Sequence, residues 1–257
     1  MVTRKVAKLV KSLHQKKYRH QHQLFLVEGA KSVRELLASN FRVETLVATK
    51  VFLQQHDALL HQRLSESQWS EADEETLSSL STFKHNNAAL AIAAMPPPAR
   101  LSSAVSAYVL VLDDVRDPGN LGTIIRIADW YGIRQIICSE ATTDMYASKV
   151  VSASMGSFLR VPVLYTALDA YLSQLTVPVY GAVLDRGTSV HQLASGARGG
   201  AILLGNESVG VHADLMPYIT NPIHIPRYGE AESLNVGIAT AVICDNLMRL
   251  RERSPLP

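Results

Sequence analysis

Three short stretches concentrate side chains that can bind and orient a polar ligand. They are Asp117-Pro118-Gly119-Asn120-Leu121-Gly122, Gly205-Asn206-Glu207-Ser208-Val209-Gly210, and the loop into Glu232-Ser233-Leu234-Asn235. Each follows an apolar run that reads as a strand: Tyr108 to Leu112, Ala201 to Leu204 and Ile223 to Ile225. Glycine lets backbone approach a ligand closely, while Asn, Glu and Ser supply amide, carboxylate and hydroxyl groups. No P-loop and no GxGxxG follows any strand, which argues against a nucleoside triphosphatase and a standard dinucleotide fold. No Ser/His/Asp set stands out, and no carboxylate pair marks a glycosidase. Two cysteines rule out an all-cysteine zinc site within one chain, and His20 with His22 lacks a third ligand.

The third stretch leads into a long helix. Val236, Ala239, Ile243, Leu247 and Leu250 follow helical spacing, with Leu234, Ile238 and Ala241 on a second apolar face. A helix apolar on two sides is buried on two sides. Ser233 or Glu232 is the expected N-cap, and the helix N-terminus presents free N–H groups to a ligand. The first stretch leads into a helix from about Asn120 to Tyr131, with Leu121, Ile124, Ile125 and Ala128 inward and Gly132 as its stop. Further strands are expected at Gln135 to Cys138, Val161 to Leu164 and Val177 to Leu184, with a helix around Val150 and Val151. Apolar strands alternating with helices imply a mostly parallel sheet covered on both faces, with ligands beyond its carboxyl ends.

The chain before this region is a smaller α/β unit. Strands are expected at Leu24 to Val27, Val43 to Ala48 and Ala88 to Ala94, and helices at Ala30 to Ser39, Asp57 to Leu64 and Glu71 to Leu80. Pro96, Pro97 and Pro98 end the pattern, so the expected division is residues 1–95, a linker 96–106, and residues 107–257. The 257 residues carry a net charge of only +2, but Arg4, Lys5, Lys8, Lys11, Lys16, Lys17 and Arg19 all precede the first acid, Glu28. Val6, Leu9, Val10 and Leu13 form one stripe among them. A basic amphipathic helix can bind nucleic acid, a membrane surface or a partner. No apolar run approaches a membrane span, and the basic start lacks a signal peptide's apolar core. Cys138 and Cys244 lie in apolar runs, as packing residues of a reduced cytoplasmic protein would.

Taken together and in this order, the three stretches resemble the three motifs of the SpoU (TrmH-like) RNA ribose 2′-O-methyltransferases of the SPOUT superfamily. The first runs from Asp117 to Arg126, the second from Leu204 to Gly210, and the third from Ile225-Pro226 through Glu232-Ser233-Leu234-Asn235-Val236. Tyr18-Arg19 and Phe25-Leu26-Val27-Glu28-Gly29 are similar to the family's accessory substrate-binding domain. Ser208 departs from the pattern, standing where a glycine is more usual. The resemblance implies a catalytic domain tied in a trefoil knot, a homodimer with active sites at the subunit interface, S-adenosyl-L-methionine as cofactor, and no metal. It implies cofactor contacts from Leu204, Gly205, Ile225, Leu234 and Asn235, mainly through backbone. It places Glu207, Ser233 and Asn235 in the pocket and makes Asn120 and Arg126 the substrate-side catalytic pair.

The implied reaction is an in-line displacement on a ribose hydroxyl of rRNA or tRNA, with rRNA favoured; the basic segment and accessory domain point to RNA as the substrate class. A guanidinium gives up its proton with great difficulty, so the expected role of Arg126 is to hold a phosphate and stabilise developing alkoxide charge. An RNA-binding protein that keeps the fold without catalysis is the alternative; intact Asn120, Arg126, Glu207, Ser233 and Asn235 argue against it. A methyltransferase of small molecules or proteins is a third reading, disfavoured by the same basic segment.

Overall fold

Asp117 and Pro118 show how local chemistry sets an element here: the aspartate carboxylate caps the free N–H groups, and proline at the first helical position needs no N–H partner. The computed structural model describes residues 2–98, 107–184, 186–193 and 199–252. In chain order the elements are α1 (Arg4–Leu13), α2 (Lys16–His22), β1 (Leu24–Glu28), α3 (Ala30–Ala38), β2 (Val43–Ala48), α4 (Lys50–Gln55), α5 (Asp57–Arg63), β3 (Trp69–Glu71), α6 (Glu74–Leu80) and β4 (Ala89–Ala94). There follow β5 (Tyr108–Leu112), α7 (Pro118–Trp130), β6 (Ile136–Cys138), α8 (Ser148–Ala153), β7 (Val163–Tyr165), α9 (Leu168–Leu172), β8 (Val179–Ala182), β9 (Thr188–Ser189), β10 (Gly200–Leu204), β11 (Asn221–His224) and α10 (Val236–Glu252).

Two compact units form. The first comprises Met1–Pro97 together with Asp144–Leu159, the second Pro98–Thr143 with Arg160–Pro257. The expected linker falls mostly on residues 99–106, outside the described residues.

The first unit has a four-stranded mixed sheet in the order β1-β4-β2-β3. Leu26, Val47, Leu90 and Ile92 on one face pack with Val10 and Leu13 of α1 and Leu77 and Leu80 of α6. Phe25 alternates to the other face and meets Phe41, Tyr146 and Phe158, with the Tyr146 ring 4.6 Å away. The basic segment is two helices rather than one, turning at His14 and Gln15. Arg19 is buried, which removes it from the basic face expected of this segment: it bonds Asp144 through Nε at 3.0 Å and Nη2 at 2.6 Å, and the Leu13 and His14 carbonyls through Nη1. The guanidinium thus satisfies the C-terminal carbonyls of α1, which helix geometry leaves open. Glu71 ends a strand, and α6 starts three residues later under an Asp73 cap. Helix α4 and strands β3 and β9 escape the sequence pattern, being too short to show a period.

The second unit has a seven-stranded, all-parallel sheet in the order β7-β6-β5-β10-β8-β11-β9. Val109, Val111, Ile137, Val179, Ala201 and Leu203 cover one face with Leu168, Tyr171, Leu172 and Leu215. Leu110, Leu112, Ile202 and Leu204 alternate with them and are also buried, as strands covered on both faces require. Helices α7 and α10 pack on each other. Their approach is close at Gly237, where an added Cβ would lie 3.1 Å from Thr123 Cγ2. Among the described residues no helix is long and apolar enough to cross a membrane.

Candidate active site

Strands β5 and β10 are neighbours, yet the chain runs from β5 outward to β6 and β7, while β10 pairs with β8 on the other flank. That is a topological switch point, where the carboxyl ends of parallel strands leave a crevice. The three motif loops leave β5, β10 and β11 at this end.

Asp117 takes the cap of α7, its Oδ1 accepting from Asn120 N at 2.9 Å. The Asn120 side chain is therefore free for longer-range bonds. Its Nδ2 donates to Glu207 Oε1 at 2.7 Å, and its Oδ1 accepts from Asn235 Nδ2 at 2.8 Å. Asn235 Oδ1 in turn accepts from Gly237 N and Ile238 N. The N-cap of α10 is thus Asn235, not Ser233 or Glu232; Ser233 and Leu234 stay non-helical and α10 begins at Val236. A carboxylate only accepts and a backbone amide only donates, so both asparagine orientations are fixed by the ends of this relay. Three motifs distant in sequence are tied by two side-chain amides.

The second loop closes on itself. Asn206 and Gly210 exchange backbone bonds at 2.9 and 3.0 Å, and Asn206 Oδ1 accepts from Ser208 N and Val209 N. A Cβ at Gly205 would lie 2.1 Å from the Gly210 carbonyl carbon, so glycine is required there. Ser208 leaves this turn intact through its backbone. Asp113 and Asp114, at the end of β5, hold the loop from below: Asn206 Nδ2 donates to the Asp114 carbonyl at 2.8 Å, and His212 N and Nδ1 reach Asp113 Oδ2 at 2.9 and 2.8 Å.

A 780 Å³ cavity lies among the loops after β8, β10 and β11. Of the expected cofactor and pocket residues, Leu204, Gly205, Glu207, Ile225, Ser233 and Leu234 line it. Asn120 and Asn235 join it through Glu207. Arg126 does not: it is exposed on α7, six residues or roughly 9 Å of helix rise beyond Asn120, and makes no hydrogen bond among the described residues. Sequence reading passed over Asn206, His212 and His224 as site residues. His224 lines the cavity, and its Nδ1 is buried with no partner among the described residues. A polar residue ending an apolar strand was the available signal. Among the described residues no three His, Cys, Asp or Glu side chains gather as metal ligands would.

A model of the SpoU rRNA Methylase family matches residues 107–245, more than half of the chain. The chain belongs to this family. Residues 5–91 match an MRM3-like substrate binding domain. The 23S rRNA (guanosine(2553)-2′-O)-methyltransferase RlmP of Bacillus subtilis (strain 168) is 32% identical over 244 residues, covering 92% of this chain and 93% of that protein. An AdoMet-bound rRNA methyltransferase from Sinorhizobium meliloti superposes with a TM-score of 0.85 at 29% identity, covering 97% and 96% of the two chains. A TrmH-family protein from Porphyromonas gingivalis gives 0.82 at 34% identity over 99% of this chain and 100% of its own.

Proposed function

We infer that this chain transfers the methyl group of S-adenosyl-L-methionine to a ribose 2′-hydroxyl of ribosomal RNA. The observation that carries the reading is the Glu207–Asn120–Asn235 relay beside the 780 Å³ cavity. The cavity suits the cofactor. Its volume falls in the range of cofactor sites, its walls include Ala182, Val183, Ile223, Ile225 and Leu234, and Glu207, Ser233 and the Gly205 backbone supply polar groups. Leu204, Gly205, Ile225 and Leu234 would hold it largely through backbone, with Asn235 fixing the end of α10. The bound cofactor supplies a methyl carbon on a positively charged sulfonium, which needs no metal to activate it. The chain must then align the ribose oxygen and exclude water. Asn120, held at both ends, positions the nucleotide; Arg126 holds a phosphate and stabilises alkoxide charge as the hydroxyl proton leaves.

Arg126 is exposed on α7 and outside the cavity lining of its own chain, which supports a two-fold homodimer with the active site at its interface. Helix α7 also exposes Trp130, 83% accessible, the loop before α10 exposes Leu234, and α10 exposes Ile238. The trefoil knot, action in the cytoplasm, and residues 1–95 as the RNA-binding domain of a 107–257 catalytic domain belong to the same reading. The Bacillus subtilis relative supports rRNA over tRNA as substrate. The test is methyl transfer to rRNA and tRNA transcripts by wild type and Arg126→Ala. We expect transfer to rRNA, abolished by the substitution with the cofactor Kd within about threefold, since uniform cofactor binding is untouched. Near-normal turnover in the variant would sink the assignment of Arg126.

A further inference from the structure

The second motif loop is fastened at both ends to two successive residues of one strand end. Its first side is tied by Asn206 to the carbonyl of Asp114, a residue held at φ 56° with its N–H bonded to Ser139 Oγ at 2.8 Å. Its far side is tied by His212, whose backbone N–H and imidazole both bond Asp113 Oδ2. Asp113 is buried, while the His212 side chain is 46% exposed, so the pair reaches from the sheet to solvent. Between these ties lie Glu207, which closes the relay to Asn120, and Ser208 to Gly210, which line the cavity with it.

We infer that the Asp113–His212 pair is a clamp that sets the loop carrying Glu207 against the cofactor cavity, making His212 a positioning residue for methyl transfer. The charged groups facing the ring are Asp113 and Asp114, just after β5, and Asp214 from its own turn; Arg116 bonds Asp114 at 2.7 Å. The hydrogen bond the ring donates to Asp113, then the charge of Asp113, hold the imidazole above the ordinary histidine range, with Asp114 and Asp214 adding to this. A group whose folded value is raised contributes fully below its unfolded value, near 6.5, and loses that contribution as pH rises through the folded value. The clamp is therefore tightest under acidic conditions and relaxes as the imidazolium loses its proton, leaving the weaker neutral bond.

The inference rests on the methyltransferase reading only for its kinetic consequence; the loop's restraint is read without it. The experiment compares wild type, His212→Ala and His212→Asn. Asn keeps a neutral donor near the Nδ1 position but cannot titrate. Amide hydrogen exchange of residues 205–212, taken as the ratio between proteins at one pH, should quicken about tenfold or more in His212→Ala and be largely restored in His212→Asn. Binding of S-adenosylhomocysteine should weaken about three- to tenfold in wild type from pH 6 to pH 9, a change His212→Asn should lack. The rate constant kcat should fall about tenfold in His212→Ala and recover in His212→Asn. Unchanged exchange in His212→Ala overturns the clamp whatever the protein's activity. A pH-dependent affinity retained in His212→Asn overturns the role of the imidazolium. Quickened exchange in His212→Ala, with a wild type that binds no S-adenosylhomocysteine, would instead keep the clamp and overturn the cofactor reading.

Discussion

Arg19 stands among six other cations in the segment before Glu28, yet the residue is 4% exposed and its guanidinium makes four hydrogen bonds. Losing one partner of such a buried pair costs about 3–5 kcal/mol, far more than any exposed lysine nearby contributes. Asn120 presents the opposite case: its amide is half-buried, and solvent can replace what it loses. Asn120→Ala should therefore lower stability by only about 1 kcal/mol. It should reduce kcat about 100-fold, because Glu207 and Asn235 lose their shared anchor, while cofactor affinity stays within a few-fold. Steady-state kinetics beside a urea titration checks this, and Asn120→Asp should be no better, since a carboxylate cannot donate to Glu207. Residue type made Asn120 a candidate in the sequence. Its two partners, 87 and 115 positions away, could not be seen there.

Helix α1 divides its work by face. Val10 and Leu13 enter the core of the first unit, whereas Arg4, Lys5, Lys8 and Lys11 are exposed. Deleting residues 1–22 would thus confound RNA contacts with core loss, as removal of Leu13 alone costs about 2–5 kcal/mol. Replacing Lys5, Lys8, Lys11, Lys16 and Lys17 by Gln separates the two. The melting temperature should hardly move, and the log–log slope of RNA affinity against salt should fall by about 3–4 units if four of the five meet phosphates on duplex-like RNA. Titrations at several salt concentrations read the slope; an unchanged one would remove the electrostatic role. The stripe of Val6, Leu9, Val10 and Leu13 was legible because helical period survives in any context. The break at His14 was not, because the contact that seals it comes from Arg19 and Asp144.

At the scale of the molecule, α10 has one face against its own unit and another that is not covered. Val236, Ile243, Cys244 and Leu247 are buried, and burial pushes the Cys244 thiol up to about 12, so it is inert as a nucleophile. Ile238, by contrast, is 54% exposed. Ile238, Leu234 and Trp130 are exposed apolar side chains, which a closed two-fold dimer would cover. Light scattering should give twice the monomer mass for wild type and one monomer mass for Ile238→Asp, with methyl transfer lost in the variant. A wild type that is a stable, active monomer at micromolar concentration would refute the dimer.

The chain alone determined the two α/β patterns, the parallel character of the larger sheet, the three motif loops and the family, because each rests on local period, turn chemistry or short spacing. Only the tertiary structure decided that Asn235 rather than Ser233 or Glu232 caps α10, that residues 144–159 pack with the first unit, that Arg19 is buried, and that Asp113 and His212 meet. These are pairings between groups far apart along the chain. Their energies depend on burial and on geometry within a few ångströms, and composition and period carry neither quantity.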